Sequence, residues 1–472
     1  MSRIAYEKYG VSSLALIAVM GLAGCNVGPK YTRPQVPPPP AFRGADDAAV
    51  SSDPNGSLGD QQWSTVFKQP ELQALIREAL TNNFDLRAAA QRVLQQESQV
   101  KITRAQQFPQ INGGGTGAGV DLPSTVGTSI NSPLVFGSFN LSASWTPDFW
   151  GLYRKQTEAA RDQLLAQQWA QRAVRMTLVQ QVATTYFQLR TLDQQLAIAK
   201  ETLKTRQESV KLTQTLERGG SVPLSDVRQA EQLLYTASSQ IPQLEQQIQQ
   251  GENDLRLLLG KEPGPVSHAD PNAITPVPDA LPVGIPSQLI ERRPDIQQAE
   301  AKLKAANAQV GAARAQFFPQ LSISGSAGFG GDEFSNLFDP SGKTIYGLGS
   351  LTQPIFAGGK IRGQYDLSKR QKDELILTYQ KAVYTGFHDV SSALIAVNKQ
   401  RRAREQQQLL VTSAQDATRL ARLRYQGGST SYLEVLTTDS NLFSAQLNLA
   451  SAQQNEALTL VQLYSALGGG WQ

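Results

Sequence analysis

The sequence predicts an α+β membrane protein built as two similar halves. Paired strands supply part of a multi-chain β-barrel, and very long helices continue it. Three observations predict this. Residues 85–111 align without a gap on residues 295–321 with ten identities, the mark of an internal duplication. Residues 152–217 and 360–425 contain no proline; helices of about 65 residues reach roughly 100 Å at 1.5 Å per residue, which no compact domain needs. In each half a short segment alternates apolar and small polar residues, the period-two signature of a membrane barrel wall.

The elements follow in chain order. Arg3 and Lys8 flank the start, and the apolar run of residues 11–23 is too short to span a bilayer comfortably. It fits the core of a signal peptide, residues 1–24. The run ends in Leu22-Ala23-Gly24-Cys25, which resembles the lipobox of bacterial lipoproteins. That resemblance implies a diacylglycerol on Cys25, the only cysteine, as a lipid anchor. Asn26 stands where the inner-membrane retention residue is usually Asp, so the outer membrane is implied. Residues 25–70 form a lipid-anchored tether; its Pro-, Gly- and Asp-rich part, with Pro37 to Pro40 in a row, is extended rather than folded.

Repeat 1 covers residues 71–262 and repeat 2 residues 286–472, with a Pro-rich linker at 263–285. Each reads as a helix, a β-hairpin (about 111–149 and about 320–357) and two long helices. The first helix stops at Phe108-Pro109, because the position before proline disfavours the helical region. Arg104-Ala105-Gln106 with Phe108-Pro109-Gln110 returns as Arg314-Ala315-Gln316 with Phe318-Pro319-Gln320. On the first-copy strand Phe139, Leu141, Ala143 and Trp145 oppose Ser138, Asn140, Ser142, Ser144 and Thr146; in the second, Leu321, Ile323, Ala327 and Phe329 oppose Ser322, Ser324 and Ser326. Aromatics mark every strand–helix junction: Phe108, Trp145, Phe149, Trp150, Phe317, Phe318 and Phe356. With all helices on one side of the membrane, these seven form a girdle at that interface. Four strands cannot close a barrel, and an open edge cannot sit in lipid. Closure therefore requires several chains, with eight, twelve or sixteen strands for two, three or four copies.

The long helices end at Gly219-Gly220 and Gly427-Gly428, as helices do at left-handed caps. The next helices begin near Pro223 and at Ser431, where Ser431 and Glu434 have capping-box spacing. Leu178, Val182, Thr185, Leu189, Leu192, Leu196, Ala199 and Leu203 form one heptad seam. A second runs Leu433, Leu436, Ser440, Phe443, Leu447, Ala450, Gln454, Ala457 and Val461.

Composition narrows the function. A formal charge of +4, +3 once Arg3, Glu7 and Lys8 are removed, comes with no basic cluster interleaved with aromatics, so nucleic acid is no partner. The only histidines are His268 and His388, and the mature chain has no free thiol. A His/Cys metal site and a Cys–His pair are thereby excluded, no cofactor beyond the covalent lipid is expected, and the chain reads as no enzyme. Methionine occurs only at 1, 20 and 176, so no Met-rich path for soft metals exists.

Several further stretches resemble a known family, the outer-membrane channel lipoproteins of tripartite resistance-nodulation-division efflux systems. They are Val27-Gly28-Pro29-Lys30-Tyr31 with Arg33-Pro34, Arg292-Arg293-Pro294-Asp295-Ile296, the doubled Phe-Pro-Gln, Pro354-Ile355-Phe356 before Gly358-Gly359, and the ending Leu463-Tyr464-Ser465-Ala466-Leu467-Gly468-Gly469-Gly470-Trp471. The resemblance implies a homotrimer: a twelve-stranded β-barrel, four strands per chain, above a periplasmic α-helical barrel. It implies docking to a periplasmic adaptor (membrane fusion) protein and an inner-membrane pump, and an exit duct that passively conducts small molecules such as drugs and toxic compounds. A protein-secretion channel of the type I kind and a non-channel structural coiled-coil lipoprotein are the alternatives.

Such a duct needs a closed resting end, expected at the helix tips. Asp416 and Arg419 form an i, i+3 pair there. With Arg422 and Arg424 they are the periplasmic gate candidates. Arg218, Gly219, Gly220, Gly427 and Gly428 are the expected adaptor-docking tips.

Overall fold

The computed structural model describes residues 27–45, 50–51, 56–120, 134–267, 281–331 and 336–472. Cys25, the signal region and His268 lie outside the described residues. In chain order the elements are β1 (Val50–Ser51), α1 (Trp63–Val66), α2 (Pro70–Asn82), α3 (Phe84–Ala105), β2 (Gln110–Val120), β3 (Leu134–Trp145), α4 (Leu152–Arg218) and α5 (Leu224–Leu258). There follow β4 (Leu281–Pro282), α6 (Pro286–Arg292), α7 (Pro294–Ala315), β5 (Gln320–Gly331), β6 (Lys343–Thr352), α8 (Lys360–Gln426) and α9 (Tyr432–Ala466). The two longest helices have 67 residues each and the helices after them 35 each. No described helix is long and apolar enough to cross a membrane. The chain divides into two compact units.

The first unit comprises Met1–Pro34, Val93–Gln167 and Ala299–Tyr379. Its sheet is antiparallel in the order β2-β3-β5-β6. Glycine opposes the large side chains: Gly113 pairs with Leu141 and Gly115 with Phe139. On the next ladder Leu141 pairs with Ala327 and Ala143 with Gly325. A bulky residue thus covers the bare backbone of its neighbour, which pins the register. The outer edges of β2 and β6 have no strand partner among the described residues.

The second unit comprises Gln35–Arg92, Gln168–Gln298 and Gln380–Gln472. Two helical hairpins, α4 with α5 and α8 with α9, pack through apolar layers. Val210, Ala230, Ala421, Tyr432 and Val435 form one layer, drawn from all four helices. Ala199, Leu244 and Phe443 form another, with Leu192, Leu196 and Leu447 against it. Leu178, Val182, Leu189, Ala199, Phe443, Ala450 and Val461 of the heptad seams are buried. Leu433 departs from the seam and is 57% exposed. At this end of α9 the buried stripe runs Tyr432, Val435, Asp439 and Phe443 instead, so the inward face is set one position earlier. Ser431 caps α9 without a side-chain bond; the Glu434 carboxylate instead takes the Thr430 hydroxyl and Arg424. The capping-box spacing therefore does not form a capping box. Pro242 lies inside α5, where it leaves the carbonyl one turn earlier without an intrahelical donor.

Candidate functional site

The sheet carries two chemically distinct faces. Phe139, Leu141, Ala143 and Trp145 meet Phe329, Ala327, Gly325 and Ile323 on one face. On the other, Asn112 opposes Ser142, Thr116 opposes Ser138, Ser144 opposes Ser324 and Ser322 opposes Ser350. The Ser322 and Ser350 hydroxyls bond at 2.7 Å. Lys343, the only charged residue in these ladders, pairs with Phe329 on the apolar side. The polar face is thus a wall of hydroxyls and amides without fixed charge. Tyr346 and Leu348 of β6 share it, opposite Ser326 and Ser324, and so does exposed Phe136 of β3, opposite Ala118.

Register also places the four strand–helix junctions at one end of the sheet: Gln110 lies opposite Ser144, Trp145 opposite Ile323 and Gln320 opposite Thr352. There Trp150 stacks on Phe318 with centroids 4.9 Å apart, and its indole N–H donates to the Pro319 carbonyl at 2.6 Å. The Trp145 indole donates to the Gln107 carbonyl at 3.1 Å. Phe317 meets Tyr365 edge-on at 5.8 Å, and the Arg104 guanidinium lies 6.0 Å over Phe108. Phe149 closes a backbone turn onto Pro147, and Phe356 is 91% exposed. Aromatic bodies with a polar tip are the residues suited to a membrane–water boundary.

In the second unit the two hairpin turns are alike. Gly219 N donates to Thr215 O and Ser221 N to Leu216 O; Gly427 N donates to Leu423 O and Ser429 N to Arg424 O. Gly220 and Gly428 both have φ +69°, the left-handed cap that favours glycine. Gly219 and Gly427 do not: their φ is ordinary and an added Cβ would meet only normal contacts from 3.5 Å. The turns therefore explain one glycine of each pair and leave the other for a different reason.

The four gate candidates separate. Asp416 and Arg419 bond each other at 2.6 Å and are each 60% exposed, a solvated pair on one helix. Arg424 reaches Glu434 at 2.8 Å inside the same hairpin. Arg422 reaches Asp439 at 2.6 Å, and the other oxygen of Asp439 accepts from Arg206 at 2.9 Å. Arg206 and Asp439 went unremarked in the sequence, because nothing in their local pattern distinguishes a buried charge from a surface one.

The remaining family-like motifs fasten the chain. In the first unit, the segment around Gly28 lies so close to α7 that a Cβ there would stand 2.9 Å from the Gly311 Cα. The Asn307 amide donates to the Pro29 carbonyl at 3.0 Å, the Tyr31 hydroxyl donates to Glu300, and Arg33 and Lys304 pair with the same carboxylate. Burial alone would raise the Glu300 carboxyl, but the bonds from Arg33 and Lys304 outweigh it and hold it below its ordinary value. Nearby Asp162 is pushed up to about 6 by burial and by Glu158. In the second unit buried Arg293 holds Asp295, Asp389 and the Ala466 carbonyl. The C-terminal Trp471 packs edge-on against Trp169, with Arg172 at 4.1 and 4.9 Å from the two rings.

Ser392, His388 and Asp389 form a chain of contacts at 3.5 and 3.3 Å on the exposed side of α8. The first is too long for a good hydrogen bond, and the backbone N–H groups around it are used inside the helix. The trio therefore does not hold the short nucleophile–base contact of a hydrolytic site.

The family model for outer membrane efflux proteins matches residues 75–261 and 285–469. The chain belongs to the outer membrane efflux protein family. Among its relatives, the cation efflux system protein CusC of Escherichia coli O6:H1 is 34% identical over 462 residues, 97% of this chain and 98% of CusC. The solvent efflux pump outer membrane protein SrpC of Pseudomonas putida is 35% identical over 472 residues, with the same shares covered. Among solved structures, the open state of the Neisseria gonorrhoeae MtrE outer membrane channel superposes with a TM-score of 0.82 at 30% identity, over 95% of this chain and 99% of that one. CusC superposes with a TM-score of 0.83 at 31% identity, over 94% and 100%. The chain is thus an outer-membrane efflux component that extends into the periplasm.

Proposed function

We propose that this chain is the outer-membrane exit duct of a tripartite efflux pump, passively conducting small molecules from periplasm to exterior. One observation carries the reading: a four-stranded sheet with two open edges, one apolar face and one uncharged polar face, in a chain whose helices run to 67 residues. Open edges cannot remain unpaired in lipid. Three copies pairing β6 to β2 give twelve strands, with the apolar face toward lipid and the hydroxyl face toward the lumen. The aromatic junctions then lie at one membrane boundary, and the helices of the three copies form the periplasmic tube. The lipid on Cys25 delivers the chain to the outer membrane, and an adaptor and an inner-membrane pump complete the path.

The names of the relatives divide between cation and solvent efflux, so substrate choice is assigned to the pump rather than to the duct. The hairpin tips with Arg218, Gly219, Gly220, Gly427 and Gly428 are the adaptor contact. Of the charged residues just before the second tip, Arg422 and Arg424 are held by Asp439 and Glu434, so the exposed pair Asp416 and Arg419 is the part that shuts the resting end. Purified mature protein is expected to be a trimer by mass and to conduct in planar bilayers in small closed-state steps. A trimer without conductance under any condition would make it a stalk instead. Neutralising Asp416 and Arg419 together is expected to raise single-channel conductance; an unchanged value removes that pair from the gate.

A further inference from the structure

Arg206, Asp439 and Arg422 form a charged layer that joins all four helices of the two hairpins. Arg206 on α4 donates to Asp439 on α9 at 2.9 Å and to the Leu233 carbonyl on α5 at 2.7 Å. Arg422 on α8 completes the set at 2.6 Å from the other Asp439 oxygen. The Arg206 guanidinium also lies 5.0 Å over the Phe443 ring. Arg206 and Asp439 are buried. Along α9, Asp439 falls between Val435 of one apolar layer and Phe443 of the next. Buried charge is costly unless paired, and here two guanidinium groups share one carboxylate. Any arrangement that separates them leaves a cation stranded among apolar side chains.

The two hairpins are near-copies in length and in turn geometry, so each resembles the wrong partner as well as the right one. The layer breaks that equivalence. At the 208-residue offset of the two turns, Arg206 corresponds to Ala414, Arg422 to Gln214 and Asp439 to Glu231. Glu231 is half-buried and is taken up by exposed Arg228 on its own helix, at 2.7 Å. Two second hairpins laid together would set Ala414 where Arg206 stands. Two first hairpins would set Gln214 in place of Arg422. A slip of one turn along α9 would bring Val435 or Phe443 to the guanidinium groups.

We propose that the Arg206–Asp439–Arg422 layer is a pairing code between the duplicated hairpins. It admits only first-against-second packing in one register, and so rejects like-with-like packing against a second copy of this chain. The inference rests on the hairpins being repeats of one another, and not on conduction. Its residues position the hairpins and touch no substrate.

Gln195 and Ser451 report the register, since their side chains bond across α4 and α9 at 3.1 Å. The test uses full-length mature protein with Cys25→Ser and a cleavable ordinary signal, carrying Gln195→Cys and Ser451→Cys, oxidised and run on non-reducing gels. With the layer intact, one intrachain-linked species is expected, and Gln195→Cys alone stays monomeric. The triple variant Arg206→Met, Asp439→Leu, Arg422→Met removes the code while filling the space. It is expected to keep its helicity and melting temperature, lose the single species and form chain-to-chain links through Gln195→Cys. An unchanged single intrachain link in the triple variant overturns the proposal. So does unfolding of that variant, which would make the layer a source of stability rather than of pairing. Absence of conductance in the unmodified protein would overturn the duct and leave this result standing.

Discussion

Two carboxylates of the first unit respond to pH in opposite senses. Asp162 is pushed up to about 6 in the folded chain, above its ordinary value of ~3.9. The folded state therefore holds a proton that the unfolded state has released between about pH 4 and pH 6. Stability contributed by this group is present below that window and lost as pH rises through it. Asp162→Asn is expected to melt higher than the parent at pH 7.5 and to flatten the melting temperature between pH 4 and 6. Glu300 is depressed, so its contribution is present above the ordinary value of ~4.3 and is lost on acidification. Glu300→Gln breaks the contacts of Arg33 and Lys304 at a carboxylate that is only 3% exposed. Because Arg33 and Lys304 are each more than a third exposed, it is expected to cost about 1 kcal/mol at neutral pH, read by thermal melting, with the loss shrinking toward pH 3. None of these partnerships was readable along the chain. Glu300 and Arg33 are 267 residues apart, and burial of a charge is a property of what folds over it.

The helices were the most legible elements, for a simple reason. Proline-free stretches closed by a glycine pair meet both conditions of a long helix, continuous donors and a left-handed stop, and they became Leu152–Arg218 and Lys360–Gln426. The two central strands, β3 and β5, were legible through Phe139, Leu141 and Trp145 against Ser138, Asn140 and Ser144, and through Leu321, Ile323 and Phe329 against Ser322 and Ser324. β6 was not, because Ile345, Leu348 and Leu351 do not fall on one face; edge strands in a larger assembly face two kinds of neighbour. Pro242 went unheralded too, since a helix packed on three others tolerates the loss of one bond. At the tips the structure separates two glycine roles. Gly428→Ala must hold a left-handed backbone and is expected to cost about 1 kcal/mol, seen as a lower melting temperature. Gly427→Ala has no such strain and is expected to leave melting unchanged while weakening binding of the cognate adaptor. Equal adaptor affinity for Gly427→Ala and the parent would return that glycine to mere sequence history.

For the whole molecule, the sheet rather than the lipid should hold the protein in the bilayer. Cys25→Ser with a cleavable ordinary signal is expected to yield a membrane-inserted, conducting protein, assembled less efficiently. Recovery of that variant in the soluble fraction would mean that the open-edged sheet does not close in lipid. Number of copies was the quantity least legible in the chain: strand arithmetic allowed two, three or four, since closure requires only that no edge be left.

The hydroxyl face of the sheet has a consequence for the electrical behaviour of such a pore. A wall without fixed charge gathers no counterion cloud, so the ions inside it are as dilute as those outside. The strand segment then acts as a plain column of electrolyte whose resistance falls in proportion to bulk salt. Rectification, or a conductance that levels off at low ionic strength where the screening length reaches ~30 Å, points to the charged helices and exonerates the sheet.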